Sequence, residues 1–238
     1  MTYQNIEVEV KGPIAFVRLN RPDKRNALSI ALRQEVVDCL GALSVDDSVV
    51  CLILTGNGKA FCAGFDLDEF KDPQPGMVET IERSSLAFHA AVGRFEKPIV
   101  AAINGAAVAG GLDLALMCDI RICSEDAIFG HPELRFGSPL LYGLLKEAVG
   151  GGPARDLCLS GRTIGAEEAL RIGLVSRVTT TQGLMESARE MAEEVCKTPL
   201  KALVREKRRI LEAAARAIDE ATSDGGPSFV EVIRETLG

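Results

Sequence analysis

Two glycine-rich segments stand where the chain leaves an apolar run, and their residue types suit chemistry on a carbonyl. Ala60-Phe61-Cys62-Ala63-Gly64-Phe65-Asp66-Leu67 follows the run at residues 49–54, and Ile103-Asn104-Gly105-Ala106-Ala107-Val108-Ala109-Gly110-Gly111-Leu112 continues from the run at 98–103. Both place small side chains at the exit, so a ligand can reach the backbone. The second opens a helix at Gly110-Gly111, whose first N–H groups lack an intrahelical acceptor and carry the positive end of the helix dipole. Two such N–H groups aimed at one oxygen make an oxyanion hole, which stabilises negative charge growing on a carbonyl oxygen.

Other glycine-rich readings fail on spacing. Thr55-Gly56-Asn57-Gly58-Lys59 ends in Gly-Lys, but the earlier glycine of a phosphate loop falls on Ile53 and no Ser or Thr follows Lys59. Neither a dinucleotide fingerprint nor a serine nucleophile elbow occurs. The two histidines, His89 and His131, lie far apart, so no metal site is expected. Seven cysteines without CxxC spacing read as small buried residues of a reducing compartment. The N-terminus lacks the basic and apolar regions of a signal peptide, and no run reaches the roughly 18 apolar residues of a membrane span, so a cytoplasmic protein without a membrane partner is expected. A net charge of −7 argues against nucleic acid, although Lys201, Arg205, Lys207, Arg208 and Arg209 form a local basic helix.

The elements that must hold these segments follow from periodicity. The 238 residues, 47% apolar and 26% charged, suffice for one sizeable core. Residues 6–10 and 15–19 flank Gly12-Pro13 as a hairpin, and Ser29 caps a helix with Leu32, Val36, Leu40 and Leu43 on one face. Strands are predicted at 49–54, 98–103, 119–123, 127–129 and 174–178. Helices are predicted at 78–94, 110–117, 140–149, 166–172, 184–197 and 200–221. Strands alternating with helices give an α/β protein with mostly parallel strands. We place a core at residues 1–180 and a C-terminal helical oligomerisation region at 181–238.

Six segments in register carry a family resemblance: Leu19-Asn20-Arg21-Pro22 with Asn26-Ala27-Leu28, Phe61 to Leu67, Ala102 to Gly111, Cys118-Asp119, Phe129-Gly130-His131-Pro132-Glu133, and Ala169 to Val175. The chain resembles the crotonase superfamily, the enoyl-CoA hydratase/isomerase family. The resemblance implies a spiral of ββα units with C-terminal helices that build a homotrimer or hexamer. It implies an acyl-CoA substrate and no separate cofactor, CoA being part of the substrate. Phe65 and Gly110 would donate backbone N–H groups to the thioester oxygen. Lys24 and Arg25, with Lys59, are candidates for the CoA phosphates, against the reading of solvated surface charge. Ala27, Ala63, Asp66 and Leu67 belong to the segments that would line the CoA and substrate site.

The family's hydratases use two glutamates, and the matching positions are Asp113 and Glu133. Asp113 also suits the first turn of its helix as a dipole partner. Paired carboxylates can hold a water and exchange a proton with carbon, which is hydration of 2-enoyl-CoA to 3-hydroxyacyl-CoA. A double-bond isomerase needs only Glu133. Aspartate at the first position reaches about 1.5 Å less far than glutamate. The family's dienoyl-CoA isomerases also pair Asp with Glu but carry a further Asp where this chain has Leu141. After Glu133 the chain reads Gly137-Ser138-Pro139-Leu140-Leu141 in place of a glycine-rich turn. Acyl-CoA hydrolase, decarboxylase and non-catalytic acyl-CoA or RNA-binding readings share the scaffold. His131 is expected to be a packing or hydrogen-bonding residue. The tail helix, with Leu203, Ile210, Leu211 and Ala214 on a stripe, is expected to need a partner surface.

Overall fold

The computed structural model describes residues 2–71, 76–138, 140–215 and 219. β1 (Ile6–Lys11) and β2 (Ile14–Leu19) form the predicted antiparallel hairpin, with Ile6 opposite Leu19. α1 (Ile30–Ser44) begins at Ser29, whose hydroxyl accepts the Leu32 N–H at 3.2 Å and satisfies one of the orphan donors of the first turn.

A pattern then recurs in which one long strand is followed by one short strand and a helix. The first unit is β3 (Cys51–Gly56), β4 (Ala60–Cys62) and α2 (Met77–Gly93). The second is β5 (Ile99–Ile103), β6 (Ala106–Val108) and α3 (Gly110–Leu116). The third has β7 (Ile120–Ser124) and β8 (Ile128–Gly130), followed by α4 (Tyr142–Val149) and α5 (Gly151–Ser160). The long strands, with the short β10 (Arg177–Thr179) at one edge, join a six-stranded sheet in the order β1-β2-β3-β5-β7-β10. The other short strands, with β9 (Thr163–Gly165), join a second sheet in the order β4-β6-β8-β9. From β2 onward the first sheet is parallel, and β4, β6 and β8 are parallel neighbours in the second.

Continuous apolar runs are required because the first sheet is covered on both faces. Leu52 and Leu54 of β3, with Ile99, Ala101 and Ile103 of β5, face the main core alongside Leu32, Leu40, Phe88 and Val92. Their neighbours Ile53, Val100 and Ala102 point the other way, with Phe16, onto a second cluster closed by Leu184, Ala188 and Ala192. Those last three residues lie on α7 (Leu184–Cys196), which therefore covers the back of the sheet.

After α5 come β9 (Thr163–Gly165), α6 (Ala166–Arg171) and β10 (Arg177–Thr179), and α8 (Leu200–Ala213) follows α7. The predicted helix at 200–221 runs beyond the described residues. Its basic face is partly neutralised. Lys207 is buried and holds Asp119 Oδ1 at 2.6 Å, and Arg208 holds Glu96 at 2.6 Å. The expected apolar stripe divides: Leu211 and Ala214 pack against the main core of this chain, whereas Ile210 is exposed. Among the described residues, no helix is long and apolar enough to cross a membrane.

Candidate active site

Because β4, β6 and β8 run parallel and side by side, the segments that follow them emerge together at their C-terminal ends. In open parallel sheets this is the edge where ligands bind. Residues 63–65 follow β4, residues 109–113 follow β6, and residues 131–133 follow β8. Every principal candidate lies in one of the three.

The first two segments touch. Gly64 sits at φ +88°, and a Cβ there would come 2.8 Å from the Ala109 Cβ and 3.1 Å from the Gly110 nitrogen. Gly111 packs so closely on the end of β4 that a Cβ would fall 2.1 Å from the Cys62 carbonyl oxygen. The Phe65 ring lies against Gly110, 3.3 Å from where its Cβ would be, with the Arg33 guanidinium 4.7 Å from the ring centroid. Ala109 takes φ 53°, ψ −134°, a conformation that costs about 1–3 kcal/mol for a residue with a side chain. It is held there by its own N–H on the Gly130 carbonyl at 2.9 Å, while its carbonyl accepts the N–H groups of Leu112 and Asp113. That kink turns the chain from β6 into α3 and makes Gly110 the first helical residue.

The loop before α1 forms the third wall. Leu28 N–H donates to the Gly64 carbonyl at 2.8 Å, and Ala63 N–H to the Arg25 carbonyl at 3.1 Å. Asn26, fully buried at φ 56°, accepts the Arg21 N–H and donates to the Asn57 and Ala60 carbonyls. Its structural role was not evident in the sequence, because its partners are 31 and 34 residues away.

The residues proposed for CoA divide in the structure. Ala27 is buried and Ala63 half-buried beside the Phe65 segment, and Leu67 is exposed. Asp66 is committed within the protein: it caps the turn at 67–70 through the Asp68 N–H and holds Arg21 at 2.8 Å, whose other nitrogen donates to the Ala27 carbonyl. Lys24 is exposed but paired with Asp68 at 2.7 Å, and that Asp68, bonded to Lys24 and Lys71, is held well below the usual carboxylate range at about 2. Arg25 and Lys59 are exposed on adjacent loops.

The acid–base candidates meet across β6 and β8. Asp113 is buried in the first turn of α3, and burial pushes its carboxyl up to about 7, with the Glu133 charge adding to the rise and His131 opposing it. Glu133 sits in the turn at 132–136 with its side chain 16% exposed. Between them stands His131, with no exposed surface: Nδ1 lies 2.8 Å from Glu133 Oε1, and Nε2 lies 3.7 Å from Asp113 Oδ1. Burial pulls the imidazole pKa down, but the Asp113 charge and the Glu133 hydrogen bond and charge outweigh it, and the net shift is upward. Asp113 Oδ1, His131 Nε2 and Glu133 Oε2 are buried without a hydrogen-bond partner among the described residues. Such atoms each cost about 1–3 kcal/mol when nothing meets them, and all three belong to the side chains joined at His131.

The helix that begins at Gly110 carries the buried Asp113 in its first turn, and His131 joins that carboxylate to the half-buried Glu133. The chain belongs to the enoyl-CoA hydratase/isomerase family, whose model, "Enoyl-CoA hydratase/isomerase", matches residues 9–225. It is 38% identical over 228 residues to a probable enoyl-CoA hydratase of Rhizobium meliloti (strain 1021), covering 94% of this chain and 86% of that one. It is 36% identical over 247 residues to 4-chlorobenzoyl coenzyme A dehalogenase-2 of an Arthrobacter species, covering 95% and 88%. The crystal structure of an enoyl-CoA hydratase/isomerase from Pseudoalteromonas atlantica T6c superposes with a TM-score of 0.88 at 31% identity, covering 98% of this chain and 95% of the other. The α/β spiral is thus the crotonase fold, and the family's activity is acyl-CoA hydration or isomerisation.

Proposed function

We propose that the protein hydrates 2-enoyl-CoA thioesters to 3-hydroxyacyl-CoA, with Phe65 and Gly110 as oxyanion-hole donors and Asp113 and Glu133 as the acid–base pair. The observation that carries this reading is the buried Asp113 carboxylate and the half-buried Glu133 carboxylate joined through His131, each with an oxygen that has no hydrogen-bond partner among the described residues. In the proposed reaction Asp113 takes a proton from water as its oxygen bonds to Cβ. The π electrons move onto the thioester oxygen between the two N–H groups, and the resulting enolate takes a proton from Glu133 at Cα. A carboxyl near 7 is well matched to base catalysis at neutral pH. Arg25 and Lys59, both exposed, are proposed to meet the CoA phosphates. The chain is further proposed to act in the cytoplasm as a homotrimer or hexamer, in which Ile210 is covered. Light scattering that gives the mass of a single chain contradicts that assembly.

Two amide variants test the chemistry, since they keep size and much hydrogen bonding but cannot exchange the proton. Glu133→Gln is expected to abolish both crotonyl-CoA hydration and 3-enoyl-CoA isomerisation, because each needs a proton moved at Cα. Asp113→Asn is expected to abolish hydration and spare isomerisation. Hydration by Asp113→Asn within about threefold of wild type overturns the two-carboxylate reading. A wild type that isomerises 3-enoyl-CoA and hydrates nothing makes Glu133 the sole working carboxylate.

A further inference from the structure

His131 is the residue at this site whose role neither the family resemblance nor the composition explains. Its ring is fully buried and one nitrogen contacts each of the two carboxylates, Nδ1 at 2.8 Å from Glu133 and Nε2 at 3.7 Å from Asp113. The backbone gives it this place. Gly130, the residue before it, ends β8 opposite Val108 and accepts the N–H of the strained Ala109, so the start of α3 and the start of the 131–133 segment are tied by one hydrogen bond. A side chain that only filled space here would be apolar, since each buried polar atom without a partner is costly.

We infer that His131 is a positioning residue that bridges Asp113 and Glu133 and couples their protonation through its ring; this rests on the acid–base reading of the two carboxylates given above. A neutral imidazole has one ring proton to place. On Nδ1 it donates to Glu133 Oε1, and on Nε2 it faces Asp113; an imidazolium presents a proton to both. A proton gained or lost by either carboxylate therefore changes where the ring proton is best placed, and the other carboxylate responds. The nearby titratable groups do not compete for this role. Burial raises the thiol of Cys158 on α5 to about 11 and that of Cys62 on β4 to about 12, which leaves both neutral. Arg135 passes Gly161 beside the His131 carbonyl and is exposed. The ring also fixes Glu133 geometrically, because the 2.8 Å bond holds Oε1 and leaves Oε2 as the free oxygen of that carboxyl.

His131→Asn and His131→Gln separate the two contacts: Asn places its amide near the former Nδ1 and Gln near the former Nε2, and neither titrates. Both variants are expected to fold, with KM for crotonyl-CoA within about threefold of wild type and kcat lower by about tenfold or more, part of the roughly 10²–10⁴ that positioned acid–base groups supply. The pH profile of kcat should lose the shape set by three coupled groups and revert to that of a carboxylate pair. A second measurement is independent of the reaction: NMR titration of carboxyl-13C aspartate and glutamate in the whole protein. The His131 charge favours ionised Asp113, so removing it should move the Asp113 midpoint upward by more than about half a pH unit. An unmoved Asp113 midpoint in both variants refutes the coupling, whatever reaction the enzyme performs. An unchanged kcat and pH profile refutes it equally. If wild type neither hydrates nor isomerises, the proposed reaction fails, and the titration alone still decides the role of His131.

Discussion

Asp113 should make the protein less stable as pH rises, and Asp113→Asn should remove that loss. The carboxyl is pushed from an ordinary value of 3.8 to about 7, mainly by burial. Between those values the folded protein holds a proton that the unfolded chain has released. The associated stability is therefore complete below about pH 4 and disappears as pH rises through about 7. At 1.36 kcal/mol per pH unit the ceiling is ~4 kcal/mol. Removal of the carboxylate also lowers the proton affinity of His131, which forfeits part of the gain, and we expect ~2 kcal/mol net at pH ~8. In a chain of this size that corresponds to a melting temperature roughly 4–8 °C higher than wild type at pH ~8, shrinking as pH falls and vanishing only below about pH 4. The assay is thermal unfolding of both proteins at several pH values, read as the difference between them, so that titrating groups that do not touch Asp113 cancel. An Asn amide with an unmet hydrogen bond shifts that difference equally at all pH values and leaves its slope intact. A difference that does not change between about pH 5 and 8 means that Asp113 is not a buried carboxyl of raised pKa, and the base assigned to the reaction loses its physical support.

Two substitutions test the scaffold of the hole. Gly110→Pro removes one N–H at a helix position that tolerates proline, so kcat should fall by about 10²–10³ with little change in KM; a raised KM at unchanged kcat places the thioester elsewhere. Gly111→Ala drives a Cβ to 2.1 Å from the Cys62 carbonyl and should cost more than about 3 kcal/mol or prevent soluble expression. Gly152→Ala on α5, with nothing within 4 Å of its Cβ, is the control and should stabilise by up to ~1 kcal/mol. Equal melting temperatures for these two alanine variants contradict the close packing of α3 on β4.

Elements long enough to show a period were legible in the sequence. The helix at 30–44 has four apolar residues on one face behind a serine cap, and β3 and β5 are unbroken apolar runs because both faces of their sheet are covered. The second sheet was harder, since β4, β6 and β9 have three residues each and no period can be read from three residues. The Gly150-Gly151-Gly152-Pro153 run concealed α5. It reads as a breaker, yet its proline falls in the first turn, where a missing N–H costs nothing. The strand expected at 174–178 is the reverse case. Leu174 and Val175 are apolar because they close the end of α6. Gly173 takes the left-handed conformation, the Leu174 N–H returns to the Ala169 carbonyl at 2.8 Å, and pairing with β7 starts only at Arg177.

The candidate site was legible in its residue types and not in its connections, and the reason lies in the sheet order. Small residues after buried runs identify the two backbone segments, since a side chain at Gly64 or Gly111 has no room whatever the ligand. The link between Asp113 and His131 is different. It exists because β6 and β8 are parallel neighbours whose ends are tied by the Ala109 N–H, and the sequence around either residue carries no sign of the other. A histidine at 131 reads in the sequence as a packing or hydrogen-bonding residue; the hydrogen bond to Glu133 is present, and only the strand on its other side brings Asp113 to the ring. The same holds for Asn26 and for the Arg21–Asp66 pair, whose partners come from segments more than thirty residues away. In this fold each turn of the spiral adds one segment to the site, so a residue's chemistry depends on the turns before and after it. Local sequence specifies which groups arrive at the ends of β4, β6 and β8. The pairing of the short strands decides which of those groups come together.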